Sequence, residues 1–330
     1  MKPNNVKYSH WIAYNVLFFS EHLLGEKKYQ KLLGGLEKRL YAKIDKYATD
    51  NPTDDGFKVF EYQKGSYPEP HCHPYSPIIF RGIAKDWPSH NKWNFDFFSE
   101  KYGDQDVTII NNKGAVPDPE NPPQSLKFSE YISKLKAGTN KYLKFSRIVD
   151  EDSNLRSDFD YDWLRKFRTS FAREDLFYFF MGGKNTLTPI HNGYAITVYV
   201  QVLGTKKWVF YPANQRLFLG VRPRRQSYYY TDANPYNLND PKFPLLKHAQ
   251  PHEIILNEGD VLYFPSLVWH QVENITDTIG VAYKFADPIP GFVSSKMLAT
   301  CFFLSTDPWF IETLIPGKPD MYNYVKKKNS

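Results

Sequence analysis

A histidine and a glycine stand two residues apart in Thr188-Pro-Ile-His191-Asn192-Gly193, at the head of the run Tyr194-Ala-Ile-Thr-Val-Tyr-Val-Gln-Val202. Side chains at i and i+2 of a β-strand point the same way, so a histidine followed by a carboxylate in that relation can grip one metal ion. Here the carboxylate position is Gly193, which has no side chain. A second histidine, His270, lies in Val268-Trp-His-Gln-Val272. A single strand histidine is more often structural than a ligand, so the residues alone leave both readings open. Two other groups invite a metal and do not sustain it. His71-Cys72-His73 sits among Pro68, Pro70 and Pro74 with no further ligands nearby and reads as a surface loop. Asp158, Asp160 and Asp162 alternate as in a calcium loop, but the glycine and the distal glutamate are missing, which leaves a solvated connector.

The elements that must position these residues are short strands. The His191 strand is entered through Pro189 and left through Gly204. Tyr194, Ile196, Val198, Val200 and Val202 share one face; His191, Gly193, Ala195, Thr197 and Tyr199 share the other. Further strands are expected over 58–62, 77–81, 106–110, 141–145, 176–181, 208–211, 253–256, 259–265, 268–272 and 278–284. Gly-Asp, Pro and Asn turns between them indicate antiparallel β-structure. Residues 93–98 and 128–135 read as short helices, and 113–125 as a loop. Residues 9–48 read as helical, with Leu33, Leu36, Leu40, Ile44 and Tyr47 on one stripe that packs on the main domain or a second subunit. Asn51-Pro-Thr-Asp-Asp-Gly56 is the break after it. An unpatterned stretch of about 40 residues after Pro212 has the character of a lid or binding loop. Its Arg222–Arg225 and Tyr228–Tyr230 segments read either as a solvated loop or as a place to meet an anionic or aromatic group. The tail from Val293 to Ser330 reads as helices, frayed at Lys326–Lys328.

The whole chain sets wide bounds. Its 330 residues suffice for one large core with helical additions. Aromatic residues make up 17%, including 24 Tyr and 25 Phe, which suits a β-rich core with aromatic-lined pockets. A net charge of +6, with Lys and Arg scattered, gives no support to a nucleic-acid partner. Cys72 and Cys301 are too few for a disulfide framework and read as free thiols. No secretory pattern opens the sequence, and its most apolar N-terminal stretch is too short to span a bilayer, so a cytoplasmic protein without a membrane partner is expected.

The order strand–His-x-(Asp), Gly-x-Lys-Lys-Trp, Tyr-Pro, then Gly-Asp-Val-Leu-Tyr-Phe-Pro…Trp-His-x-Val-x-Asn resembles the JmjC-like, cupin-fold oxygenases. Within them its pattern resembles the asparaginyl hydroxylase that acts on hypoxia-inducible factor, together with bacterial cupin-like relatives. The likeness spans about residues 57–290, and also takes in Pro77 to Gly82, Trp87-Pro88, Trp93 to Gly103 and Tyr142-Leu143. It implies a mainly β double-stranded β-helix, a jelly-roll of two antiparallel sheets with flanking N- and C-terminal helices. The division it suggests is an N-terminal helical segment (1–50), a JmjC-like cupin domain (51–290) and a C-terminal helical extension (291–330). In that family a His-x-Asp…His triad binds Fe(II), and 2-oxoglutarate chelates two further sites. The resemblance carries His191 and His270 to the two histidines. It carries Lys206, with the hydroxyls of Thr188 and Tyr142, to the distal carboxylate of 2-oxoglutarate. Thr197 and Ala282 replace two asparagines of the pattern.

Gly193, at the aspartate position, is the candidate catalytic departure. In Fe(II)/2-oxoglutarate halogenases, which share this gap, a halide such as chloride takes the vacated coordination site. That reading is favoured here. The alternatives are a 2-oxoglutarate-dependent hydroxylase with water completing the metal, and a non-catalytic cupin-like binding protein. The expected substrate is a small molecule or a peptide, and the resemblance makes a homodimer through the terminal helices an expectation.

Overall fold

The computed structural model describes residues 2–69, 71–110, 123–139, 141–223 and 228–305. The chain opens with α1 (Tyr8–Leu24) and α2 (Glu26–Asp50), followed by β1 (Phe60–Tyr62), β2 (Ile78–Phe80), α3 (Pro88–Lys92), α4 (Phe95–Tyr102), β3 (Asp106–Ile110) and β4 (Gln124–Lys127). Next come α5 (Phe128–Lys136), β5 (Tyr142–Ser146), α6 (Ile148–Glu151), α7 (Ser153–Arg156), α8 (Tyr161–Arg165) and β6 (Arg173–Gly182). The site-bearing part holds β7 (Leu187–Gly193), β8 (Ala195–Leu203), β9 (Lys206–Tyr211), β10 (Tyr228–Tyr230), β11 (His252–Leu256), β12 (Val261–Phe264), β13 (Trp269–Asn274) and β14 (Thr278–Ala286). Two helices follow, α9 (Pro288–Ser294) and α10 (Lys296–Phe303).

Among the described residues the strands form a nine-stranded sheet, β1-β2-β12-β8-β14-β6-β5-β3-β4, and a five-stranded sheet, β10-β7-β13-β9-β11. All pairings are antiparallel except β1 with β2. This is the double-stranded β-helix, and strand alternation sorts its side chains into three apolar layers. Ile79, Tyr178, Tyr199, Leu262 and Ala282 of the large sheet meet Trp208, Phe210 and Val272 of the small sheet inside the barrel. The outer face of the large sheet, with Phe177, Phe179, Met181, Val198, Val200 and Val281, is covered by Trp93, Phe98, Phe128 and Leu164 of the helical connections. The outer face of the small sheet, with Ile190, Val209, Tyr211 and Trp269, lies under α1, α2 and α10 through Tyr14, Phe18, Leu40, Ile44, Leu298 and Phe302. Each of these large apolar side chains contributes about 1.5–3 kcal/mol on burial.

Several expectations change here. The run from Thr188 to Val202 is two strands rather than one. Tyr194 forms the corner, packed on Phe302 and Phe303, and sends the chain from the small sheet into the large one. The N-terminal segment is a helical hairpin broken at Gly25, whose φ of 75° lies in the left-handed region. On α2 the buried side is Tyr29, Glu37, Leu40, Ile44 and Ala48, while Leu36 is exposed, so the expected stripe is displaced. Residues 148–165 hold three short helices, and Asp158 is buried against Lys92 Nζ and Trp93 Nε1, both at 2.7 Å. It ties α3 to that connector and is not a solvated ligand.

Arg222 likewise serves the fold. It ion-pairs with Glu21 at 3.0 Å and with Glu37 at 2.6 Å, which locks the long insertion onto α1 and α2. Tyr228–Tyr230 form β10 along β7, and Tyr229 is buried against Phe302. Arg222 and Tyr229 thus serve the packing of the fold, whereas Tyr230 pairs with His191 in register and so shares its face of the sheet. Arg224 and Arg225, the loop at 113–122, and the tail beyond 305 with Lys326–Lys328 lie outside the described residues. His73 stacks on Phe60 and meets Tyr62 Oη at 2.9 Å, which gives the His71–His73 segment a packing role. No described helix is long and apolar enough to cross a membrane.

Candidate active site

Antiparallel pairing of β7 with β13 sets His191 directly opposite His270, with ring centroids 4.2 Å apart. Each ring has its Nδ1 on the main-chain carbonyl two residues earlier, His191 on Pro189 at 2.8 Å and His270 on Val268 at 3.0 Å. A carbonyl only accepts, so in the neutral ring the proton is on Nδ1 and the lone pair on Nε2. Burial holds the His270 pKa down to about 3. His191 is also held well below the usual range, first by burial, then by His270, with smaller contributions from Lys284 and Lys144. Two facing neutral imidazoles, each oriented by a backbone acceptor, are what a divalent transition metal requires of its histidines. Phe264, Trp208 and Phe210 enclose His270, with ring centroids at 4.7, 5.7 and 6.0 Å. Beside the pair, a Cβ built on Gly193 meets no atom within 4 Å. Where the family pattern has a carboxylate there is open space among the described residues.

Deeper in the barrel, Lys206 on β9 is fully buried and donates to Tyr142 Oη at 2.8 Å and Asn274 Oδ1 at 2.5 Å. Asn274 in turn donates to Thr186 Oγ1 at 2.5 Å, which anchors the turn before β7. The hydroxyl of Tyr199 is buried without a partner, and its ring centre lies 5.8 Å from Lys206 Nζ. No Asp or Glu pairs with Lys206 among the described residues, and burial holds its pKa well below the usual lysine value. A buried amine ringed by neutral hydroxyls and an amide lacks an anion, and a carboxylate supplies one.

Thr188 reaches the same face by an irregularity. Strict alternation from His191 would place Thr188, three residues back, on the opposite face. In β7 three steps, 191 to 188, match two in β13, 270 to 272, so one residue is extra. This β-bulge at the proline returns Thr188 to the face of His191, opposite Val272 of the barrel interior. Thr197 is buried on β8, opposite Phe264 and Lys284.

A model of the cupin-like domain matches residues 66–289 of this chain. The chain belongs to the cupin-like domain family. Among relatives of this cupin-like chain is the mouse 2-oxoglutarate and iron-dependent oxygenase JMJD4, 25% identical, covering 71% of this chain and 60% of the mouse protein. The JmjC domain-containing protein E of Dictyostelium discoideum is 25% identical over 63% of this chain and 77% of its own length. The arginine-specific demethylase JMJ20 of Arabidopsis thaliana is 24% identical over 68% of this chain and 55% of its own. This chain thus spans less than two thirds of the JMJD4 relatives' length.

Within the cupin-like barrel, the structure brings His191, His270 and Gly193 to one place, and Lys206 and Tyr142 to another on the same inner surface. Among the described residues no group of three or more His, Cys, Asp or Glu side chains is placed to hold a metal. Among the described residues, the protein side of any metal centre here would be two histidines. They suit Fe(II) provided that small anionic or neutral ligands complete it. The acid-free cradle of Lys206, Tyr142 and Asn274, with the unpartnered hydroxyl of Tyr199, suits the distal carboxylate of 2-oxoglutarate. Sequence reasoning overlooked four residues of this interior: Tyr199, Asn274, Lys144 and Lys284. Asn274 closes the Trp-His-x-Val-x-Asn element, and Tyr199 shares the His191 face by alternation, so both had a signal. Lys144 and Lys284 had one only as i+2 from Tyr142 and from Ala282.

Proposed function

We propose that this cupin-like protein is an Fe(II)- and 2-oxoglutarate-dependent oxygenase. The observation that carries the reading is the pairing, inside one barrel, of two facing neutral histidines with a buried lysine cradle that lacks any acid. Iron and 2-oxoglutarate together supply oxidative chemistry, in which the keto acid becomes succinate and carbon dioxide as dioxygen is consumed. The chain's own residues do the rest. His191 and His270 hold the metal through Nε2, their rings fixed by Pro189 and Val268. Lys206 and Tyr142, with Thr188 and Tyr199, take the distal carboxylate in a site from which water is excluded by Trp208 and Phe210. The names of the relatives, a 2-oxoglutarate and iron-dependent oxygenase and an arginine-specific demethylase, support oxidative chemistry of this kind.

A second reading, halide transfer, is favoured by one feature, the open space over Gly193. A chloride there would replace the carboxylate both in position and in charge. The test is 2-oxoglutarate turnover with Fe(II), followed as succinate, across a panel of small acids and peptides. Succinate formation that is lost in His191→Ala and His270→Ala is the expected result. Its absence with every substrate and metal would make the protein a binding module. For the halide, the metal-to-ligand absorption band is recorded anaerobically with and without chloride. A shift supports the halide ligand, and a chloride-insensitive band leaves hydroxylation as the chemistry.

A further inference from the structure

Lys144 and Lys284 are two cations on the inner surface that neither the histidine pair nor the Lys206 cradle uses. Lys144 is 5% exposed and its Nζ has no hydrogen-bond partner. The group it does face is the ring of Tyr142, at 4.7 Å. Lys284, on β14 opposite Thr197, holds its Nζ 5.4 Å from the ring centre of Phe145 and 5.6 Å from that of Tyr178. A bulge in β5, with Phe145 at φ 58°, turns the Phe145 ring inward against Tyr178 and Phe180, at 5.6 and 5.3 Å. The rings the two amines face are joined through Phe180, 6.4 Å from Tyr142 and 5.3 Å from Phe145, so the amines border one aromatic wall, with Lys144 at its Lys206 end. Both also lie close enough to His191 to disfavour its protonation.

Neither lysine is ion-paired among the described residues; Lys144 is buried and Lys284 half-buried, and an ammonium withdrawn from water without a counter-charge is costly. The charge balance of the proposed oxygenase does not relieve them. 2-Oxoglutarate brings two carboxylates, one for Lys206 and one for the metal end. Lys144 and Lys284 still lack an anion. We propose that they form a second anion subsite that binds a carboxylate of the primary substrate, an organic acid whose apolar body lies on Phe145 and Tyr178. This deepens the oxygenase reading and relies on it only for which molecule fills the Lys206 cradle.

The test needs no turnover. Full-length protein without iron and with saturating 2-oxoglutarate is titrated with benzoate, 3-phenylpropanoate and 3-phenylpropanamide by calorimetry. A capped peptide, acetyl-Gly-Glu-Phe-amide, separates a peptide carboxylate from a free acid. At least one carboxylate is expected to bind one-to-one, with the amide weaker by about tenfold or more, as loss of a charge-assisted hydrogen bond dictates. Lys144→Met and Lys284→Met should each weaken that carboxylate by about tenfold while leaving 2-oxoglutarate binding unchanged. In the absence of ligand, Lys144→Met should melt no lower than the wild type, which a structural lysine would not allow.

Equal binding of amide and acid, or no saturable binding by any of the acids, overturns the proposal on the wild-type protein alone. So does displacement of the acid by 2-oxoglutarate, or a loss of 2-oxoglutarate affinity in Lys144→Met and Lys284→Met without loss of the acid, since the amines would then belong to the cosubstrate. Failure here leaves succinate formation intact. Failure of the oxygenase reading leaves the preference of acid over amide intact.

Discussion

At Gly193 the acid of the family pattern is absent and no described neighbour fills its place, so introducing the acid is sterically simple. The backbone there is not left-handed and the Cβ direction is empty for 4 Å. Gly193→Asp is therefore expected to fold with an unchanged melting temperature. It should bind Mn(II) or Fe(II) about tenfold more tightly or better, because a charged ligand joins two neutral ones. Metal titration of both proteins checks this; unchanged affinity would mean that position 193 does not face the metal. If chloride shifts the wild-type absorption band, the same substitution should abolish the shift. The histidines themselves titrate only in acid. Both have lowered pKa values, so they are neutral in the native protein where the unfolded chain already protonates them below about 6.5. Stability lost on their account appears as pH falls below that value.

On the scale of the strands, the inner surface is shaped by what β14 leaves out. Gly280, Ala282 and Lys284 alternate on its inner face, and the first is a glycine because Tyr199 occupies its space. A Cβ on Gly280 would lie 2.0 Å from Tyr199 Oη and 2.5 Å from Cζ. Gly280→Ala should destabilise the protein by about 1–3 kcal/mol, read by denaturant unfolding. Tyr199→Phe should rescue it only in part, since the ring carbon remains in the way. Wild-type stability in Gly280→Ala would contradict the packing described for Tyr199. The bulges of β5 and β7 act in the opposite sense. Each adds a residue that re-aims a side chain, Phe145 in one and Thr188 in the other.

For the molecule as a whole, a barrel that encloses amines without acids should show an unusual alkaline profile. Burial lowers the Lys144 pKa to about 7 from the ordinary 10.5. Between those values the unfolded chain binds a proton that the native protein does not, so stability rises with pH there. Below about 7 both states are protonated and the contribution is constant. Lys144→Met removes this term. Its stability relative to wild type should fall by about 1.4 kcal/mol per pH unit between pH 8 and 10, measured by urea unfolding in chloride-free buffer. A constant difference across that range would show that Lys144 is not buried as an unpaired amine. Much of this barrel was legible in the sequence. Alternation is a local property, so the face that His191 shares with Tyr199 could be read residue by residue, while Lys206 and His270 were carried by the family resemblance. The order of His, Lys and Trp-His elements likewise pointed to a cupin. The corner at Tyr194 could not be read, because apolar alternation runs unbroken through a residue that passes from one sheet to the other. Nor could the β7 bulge, which reverses the parity of Thr188, or the role of Arg222, which depends on helices far away in sequence. The placing of Lys144 and Lys284 along one aromatic wall belongs to the same class. Which strands become neighbours is set by pairing over long sequence separations, and only that pairing brings two ordinary-looking lysines to one inner surface where no described acid pairs with them.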